Sequence, residues 1–198
     1  MKQFLFIYLA VCFLASCTTN KNAYNTIEYK EQDKMMASMR TISLFETKHK
    51  FLSTQTAPIY SGSPAEDAEL IDTFRIPASG MYVLDLMTAR TTVYLEKGGT
   101  LKLTVSGNSM MPSIKFEGDN MKINEFMLEN TKLVANQMEG ISEHNFAESS
   151  EATILKIIDQ ITKDANKLYS DNKAAVDDSL IQFAKIENEA EIANFCLF

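Results

Sequence analysis

Two hydrophobic periods divide the chain, and they change over near Gly118. Ahead of that glycine, apolar residues alternate with polar ones or gather in short β-branched runs; behind it they recur at spacings of three and four. The clearest strand signals are residues 81–84 (Met-Tyr-Val-Leu), 91–95 (Thr-Thr-Val-Tyr-Leu) and 100–105 (Thr-Leu-Lys-Leu-Thr-Val), with 71–76 leading in and 114–117 following. Turn residues separate them. Pro77-Ala78-Ser79-Gly80 is expected to close one hairpin and Gly98-Gly99 a second, with Gly107-Asn108 ending the third strand. Upstream, Met35, Met36, Met39 and Ile42 have helical spacing, while 41–45 (Thr-Ile-Ser-Leu-Phe) reads as strand; a helix followed by a strand is the reading adopted.

Behind Gly118 the pattern predicts about three helices. Asn120 is placed to accept from the free amides of a helix start, and Ile123, Phe126, Met127, Asn130, Val134 and Met138 form one stripe up to Gly140. A second helix is expected from Ser150, with Ile154, Leu155, Ile157, Ile158, Ile161, Ala165 and Leu168 on its apolar face and a break at Ser170-Asp171-Asn172. The third starts near Asp177 and is expected to bury Leu180, Phe183, Ala184, Ile186, Ala190 and Ala193. The expected class is therefore α+β: an antiparallel β-meander or sandwich-like sheet in residues 34–118, then a helical segment in 119–198.

The N-terminus has a different logic. Residues 4–15 are uncharged and mostly apolar, follow Lys2, and are too short to cross a hydrocarbon core about 30 Å thick, so they read as an export signal rather than a span. Leu14-Ala15-Ser16-Cys17 resembles the lipobox of bacterial lipoproteins. That resemblance implies cleavage between Ser16 and Cys17, acylation of Cys17, and a polypeptide held on a membrane by several acyl chains; one chain alone binds only marginally. Residues 17–33 are expected to be the lipidated cysteine and a polar tether. No acidic cluster follows Cys17, which favours the periplasmic side of the outer membrane over display on the cell surface.

Cleavage leaves 182 of the 198 residues and takes the formal net charge from −7 to −8 through loss of Lys2. So acidic a surface argues against nucleic acid, whose affinity comes mainly from neutralised phosphates, and against a further electrostatic hold on anionic lipid. Cys12 leaves with the signal and Cys17 goes to lipid, so Cys196 has no intramolecular partner.

Three segments together, 74–84 (Phe-Arg-Ile-Pro-Ala-Ser-Gly-Met-Tyr-Val-Leu), 93–101 (Val-Tyr-Leu-Glu-Lys-Gly-Gly-Thr-Leu) and 116–120 (Phe-Glu-Gly-Asp-Asn) with Asn124 and Leu128, resemble the N-terminal β-rich region of TlpA-like thioredoxin-family lipoproteins of the Bacteroides group. The resemblance covers roughly residues 70–190. It implies the order lipobox, β-rich domain, helical segment, thioredoxin domain, and thiol-disulfide oxidoreductase activity in full-length members. This sequence departs from it in having no Cys-x-x-Cys, the pair in which one thiolate attacks a disulfide and the other resolves it. With the apolar ending Phe195-Cys196-Leu197-Phe198, the departure gives the expectation of an accessory region truncated before the catalytic domain. Phe195, Leu197 and Phe198 then read either as a docking patch for a missing domain or partner, or as a frayed end.

Other chemistry is thinly supported. His49, His144 and Cys196 are too scattered for a metal site. Glu143 and His144 are adjacent in sequence, and neighbours seldom face one another as an acid–base pair. No serine stands in a glycine-flanked elbow. Met35, Met36 and Met39 offer soft thioethers for Cu(I), but filling irregular core space is the plainer reading. Gly98-Gly99 lacks the Gly-Lys-Ser/Thr of a phosphate loop. No catalytic residue, cofactor or metal is therefore expected, and the chain reads as a non-catalytic, lipid-anchored accessory or protein-interaction module. Two alternatives stand beside it: a fragment of a periplasmic thiol-disulfide oxidoreductase, and a small-ligand- or glycan-binding lipoprotein, the latter weakened by the absence of tryptophan.

Overall fold

The computed structural model describes residues 23–47, 57–87, 89–107, 112–139 and 151–196. The fold is α+β. Eight strands, β1 (Asn25–Glu31), β2 (Ile42–Glu46), β3 (Tyr60–Gly62), β4 (Glu69–Phe74), β5 (Gly80–Asp85), β6 (Arg90–Leu95), β7 (Thr100–Ser106) and β8 (Ser113–Glu117), are joined by α1 (Lys34–Ala37), α2 (Met121–Glu139), α3 (Glu151–Asn172) and α4 (Asp178–Cys196). The expected order of helix then strand is present, but the helix is the single turn α1, which ends before Met39, and Ile42 opens β2. The Asp33 carboxylate caps the single turn of α1 by accepting from the Met35 and Met36 amides at 3.0 and 3.4 Å.

The strands form two four-stranded sheets, β4-β1-β7-β8 and β3-β2-β5-β6. A continuous meander is not what the chain makes. Only β5–β6 and β7–β8 are sequence-adjacent hairpins within 71–117; the links at 75–79 and 96–99 carry the chain from one sheet to the other. The cause is β1, which lies inside the segment expected to be tether. It inserts between β4, to which it runs antiparallel, and β7, to which it runs parallel. Its alternation puts Ile27 and Tyr29 into the core and Thr26, Glu28 and Lys30 outward. Asn25 fixes the insertion. Its amide donates to the Glu96 and Gly99 carbonyls at 2.7 and 3.3 Å, and its carbonyl oxygen accepts from the Gly98 amide at 3.2 Å. Gly98 turns there at φ +83°, where an added Cβ would also meet Ala23 Cβ at 3.0 Å.

The main core fills the space between the sheets, with Ile27, Leu44, Leu84, Val93, Leu103 and Phe116 among its buried members. On one side Tyr60 closes it, stacking on Phe74 with ring centroids 5.1 Å apart and donating to Asp72 at 3.2 Å. On the other, α2 covers edge strand β6: the Asn124 side-chain carbonyl accepts from the Tyr94 amide at 2.7 Å, so that strand edge is not free to pair. The outer face of the β4-β1-β7-β8 sheet meets water through ion pairs such as Lys30–Glu69 and Lys102–Glu28. The outer face of the second sheet lies under the helices, where Phe126 and Met127 of α2 pack with Ala165 and Tyr169 of α3 and Ile181 and Ala184 of α4.

The helices begin near where the pattern put them, but their faces differ. Asn120 precedes α2 in a left-handed conformation, φ 58°, and its backbone carbonyl takes the first helical bond from Asn124 at 3.0 Å. Leu155 and Ile186 are exposed, at 57% and 64%, and Ala193 is exposed too. In α4 Ala184 is buried as expected, with Leu180 and Phe183 packed beside it, but the face continues through Ile181, Glu187 and Asn188. Their polar groups find partners on α2, α3 and β6, which lets charged and amide side chains take positions expected for Ile186 and Ala193. Among the described residues, no helix is long and apolar enough to cross a membrane.

Candidate functional site

Strand directions give the sandwich two distinct poles. β1 and β7 begin, and β6 and β8 end, at the pole built around Asn25 and the Glu96–Gly99 turn. At the opposite pole lie the β5–β6 link, the start of β8, and α1, which follows the end of β1. A cleft of about 480 Å³ opens there between α2 and the starts of β6 and β8. Ile114 and Leu128, both core residues, form its floor. Ala89, Pro112 and Ala135 supply apolar wall, and Arg90, Ser113, Lys132 and Asn136 bring polar groups to it.

The hairpin link organises the rim. Asp85 accepts from the Met87 amide at 2.8 Å and from Arg90 Nε at 3.0 Å, while the Leu86 amide donates to Ala89 at 2.9 Å. This leaves Met87 in a left-handed conformation, φ 66°, and 67% exposed. A left-handed backbone costs a non-glycine residue about 1–2 kcal/mol. Met35 and Met39 are exposed at the same pole, at 74% and 66%, and Arg40 beside them reaches toward the Leu86 carbonyl at 3.5 Å. The expectation that these methionines fill core space holds for neither Met35 nor Met39; Met36 alone of the three is half-buried. A Met-bearing surface is adaptable, because an unbranched thioether repacks at low cost.

Among the described residues, three further polar clusters are buried, and none of them lines the cleft. Glu31 and Arg40 form a buried ion pair at 2.7 Å, with Tyr29 donating to the same carboxylate oxygen at 2.7 Å. Burial foremost, then the Glu31 hydrogen bond and charge, pushes the Tyr29 hydroxyl far above its ordinary pKa, so it remains a donor. Thr92 donates to Glu187 at 2.8 Å. Asn130, Tyr169 and Asn188 join the three long helices: Tyr169 donates to the Asn130 oxygen at 3.1 Å, and Asn188 donates to Tyr169 and Asn130 at 2.7 and 2.8 Å. Each cluster holds together elements distant in sequence: β1 with the segment after α1, β6 with α4, and α2 with α3 and α4.

Cys17 and Ser16 lie outside the described residues, as do His49, Glu143, His144, Leu197 and Phe198. Phe195 and Cys196 fall at the end of α4, and their side chains are outside the description. Among the described residues no group of three or more His, Cys, Asp or Glu is placed to hold a metal ion. The cleft had no local signature: Arg90 starts a strand and Lys132 sits mid-helix, and only the packing of α2 against β6 and β8 brings them to one cavity. No protein-family model, no curated protein and no solved structure matches this chain.

Proposed function

We propose that this protein is a non-catalytic module of the bacterial cell envelope, held on a membrane by acyl chains on Cys17, that presents the pole opposite its tether to a protein partner. The observation that carries this reading is the position of β1. A central strand begins at Asn25, eight residues after Cys17. Eight residues reach at most about 28 Å, so acylation would hold the Asn25 pole close to the bilayer. The cleft and the exposed Met35, Met39 and Met87 then face away from the lipid, where a partner can reach them. The resemblance to the accessory region of TlpA-like lipoproteins supports the same role, and a sequence without Cys-x-x-Cys gives no dithiol to exchange electrons.

Two measurements test it. Cys17→Ala should abolish acylation and move the protein out of the membrane fraction; continued recovery with membranes after high salt and alkali overturns the anchor. The purified protein should reduce insulin disulfides with dithiothreitol no faster than the uncatalysed reaction, and clear turnover overturns the non-catalytic reading.

A further inference from the structure

We infer that the cleft between α2 and the starts of β6 and β8 is a binding site for a small anionic amphiphile, with a single carboxylate at one end of a short hydrocarbon body. Shape is the first argument. At about 480 Å³ the cavity is within the ordinary range for small-molecule sites, about 300–1,000 Å³. Chemistry is the second. Ile114 and Leu128 give it an apolar floor continuous with the core, and Ala135 and Pro112 are small or rigid enough to leave that floor open. Such a floor takes a hydrocarbon.

Charge complementarity fixes the sign of the head group. The chain carries 26 acidic and 19 basic residues, yet the cleft is lined by two cations, Arg90 and Lys132, and by no carboxylate. The two cations are not equivalent. Arg90 is held by Asp85 and so is positioned but partly neutralised. Lys132 is exposed and has no ion-pair partner among the described residues. Its ammonium is the group that would meet an anion, with the Ser113 hydroxyl and the Asn136 amide at the same cavity to complete the hydrogen bonds. This site does not depend on Cys17: ligand binding and membrane attachment can each fail while the other stands.

The test uses the full chain carrying Cys17→Ala, titrated calorimetrically at low salt with octanoate below its micellar concentration, and with octanol and octylammonium as neutral and cationic counterparts. Octanoate should bind saturably at one site, more tightly than octanol, with octylammonium weakest. Lys132→Gln should weaken octanoate about tenfold, the loss of one charge-assisted contact, and Lys132→Glu further, with octanol unchanged. Ala135→Phe, which fills the cavity from the exposed side, should abolish all binding without shifting the melting temperature. The inference is overturned if octanoate shows no saturable heat, if octylammonium binds as well as octanoate, if Lys132→Glu binds octanoate like the parent, or if only an acidic apolar peptide binds.

Discussion

Thr92 and Glu187 meet across the boundary between the sandwich and the helical layer, 95 residues apart in sequence and 2.8 Å apart in space. Thr92 is fully buried on edge strand β6 and Glu187 is 5% exposed on α4. The contact ties the last helix to the sheet, and with Asn124–Tyr94 it makes the layer's docking directional. Apolar surfaces can slide by a turn at little cost, whereas a buried hydroxyl–carboxyl contact has one register.

Thr92→Val keeps the side-chain shape and removes the donor. Urea unfolding should show a loss of about 1.5–3 kcal/mol, the usual worth of a hydrogen bond to a charged group, with Thr92→Ser losing less. A valine variant as stable as the parent would mean that Glu187 is held adequately without Thr92.

How far such features could be read in advance depends on whether their signals are local. β5, β6, β7 and β8 were legible because their β-branched and aromatic residues alternate between turn residues. Their pairing was not: Gly98-Gly99 has the same composition whether it closes a hairpin or crosses between sheets, and what decides is Asn25, more than seventy positions upstream. β1 itself alternates at Ile27 and Tyr29, but its polar neighbours Glu28 and Lys30 blend with the preceding tether composition. Part of the α4 face departs from its hydrophobic pattern for a related reason. Ile186 is more apolar than Glu187, and the partner that receives the glutamate, Thr92, lies on another element 95 positions away. The cleft was equally invisible, since Arg90 and Lys132 share no motif.

Glu31 and Arg40 form the ion pair at the far end of β1, both side chains almost wholly buried. Removing one partner strands the other's charge. Arg40→Met and Glu31→Leu should each cost about 3–5 kcal/mol, while the double substitution should cost less than either single one, because it removes the desolvation of both charges together. Additive losses in a double-mutant cycle would show that the two residues stabilise the fold through separate contacts.

Tyrosine burial sets an alkaline limit. Burial, opposed by the Asn188 hydrogen bond and reinforced by Glu189 and Glu187, pushes Tyr169 up to about 12; Tyr29 and Tyr60 are pushed higher still, chiefly by burial. In the unfolded chain these hydroxyls ionise near pH 10. A raised folded pKa means that the stabilisation is complete below about pH 10 and is lost as pH climbs from there through the folded values. The urea midpoint should therefore fall steeply above about pH 10, with phenolate absorbance from the buried tyrosines appearing together with unfolding. Reversible ionisation of Tyr169 near pH 10 in a fully folded protein would contradict its burial.

Met87 sets stability against surface exposure. Its left-handed backbone, φ 66°, strains a side chain that is 67% exposed and gains little from burial. Met87→Gly relieves that strain, worth about 1–2 kcal/mol in the left-handed region, and loses about 0.4–1 kcal/mol through the greater freedom of glycine in the unfolded chain. The balance predicts a variant slightly more stable than the parent, by about 0.5 kcal/mol, with the Asp85–Arg90 contact and octanoate binding unchanged. If the exposed methionines receive a protein partner, the same variant should lose part of that partner's affinity, so stability and binding would move in opposite directions. A drop in melting temperature would show that the thioether packs where the structure leaves it exposed.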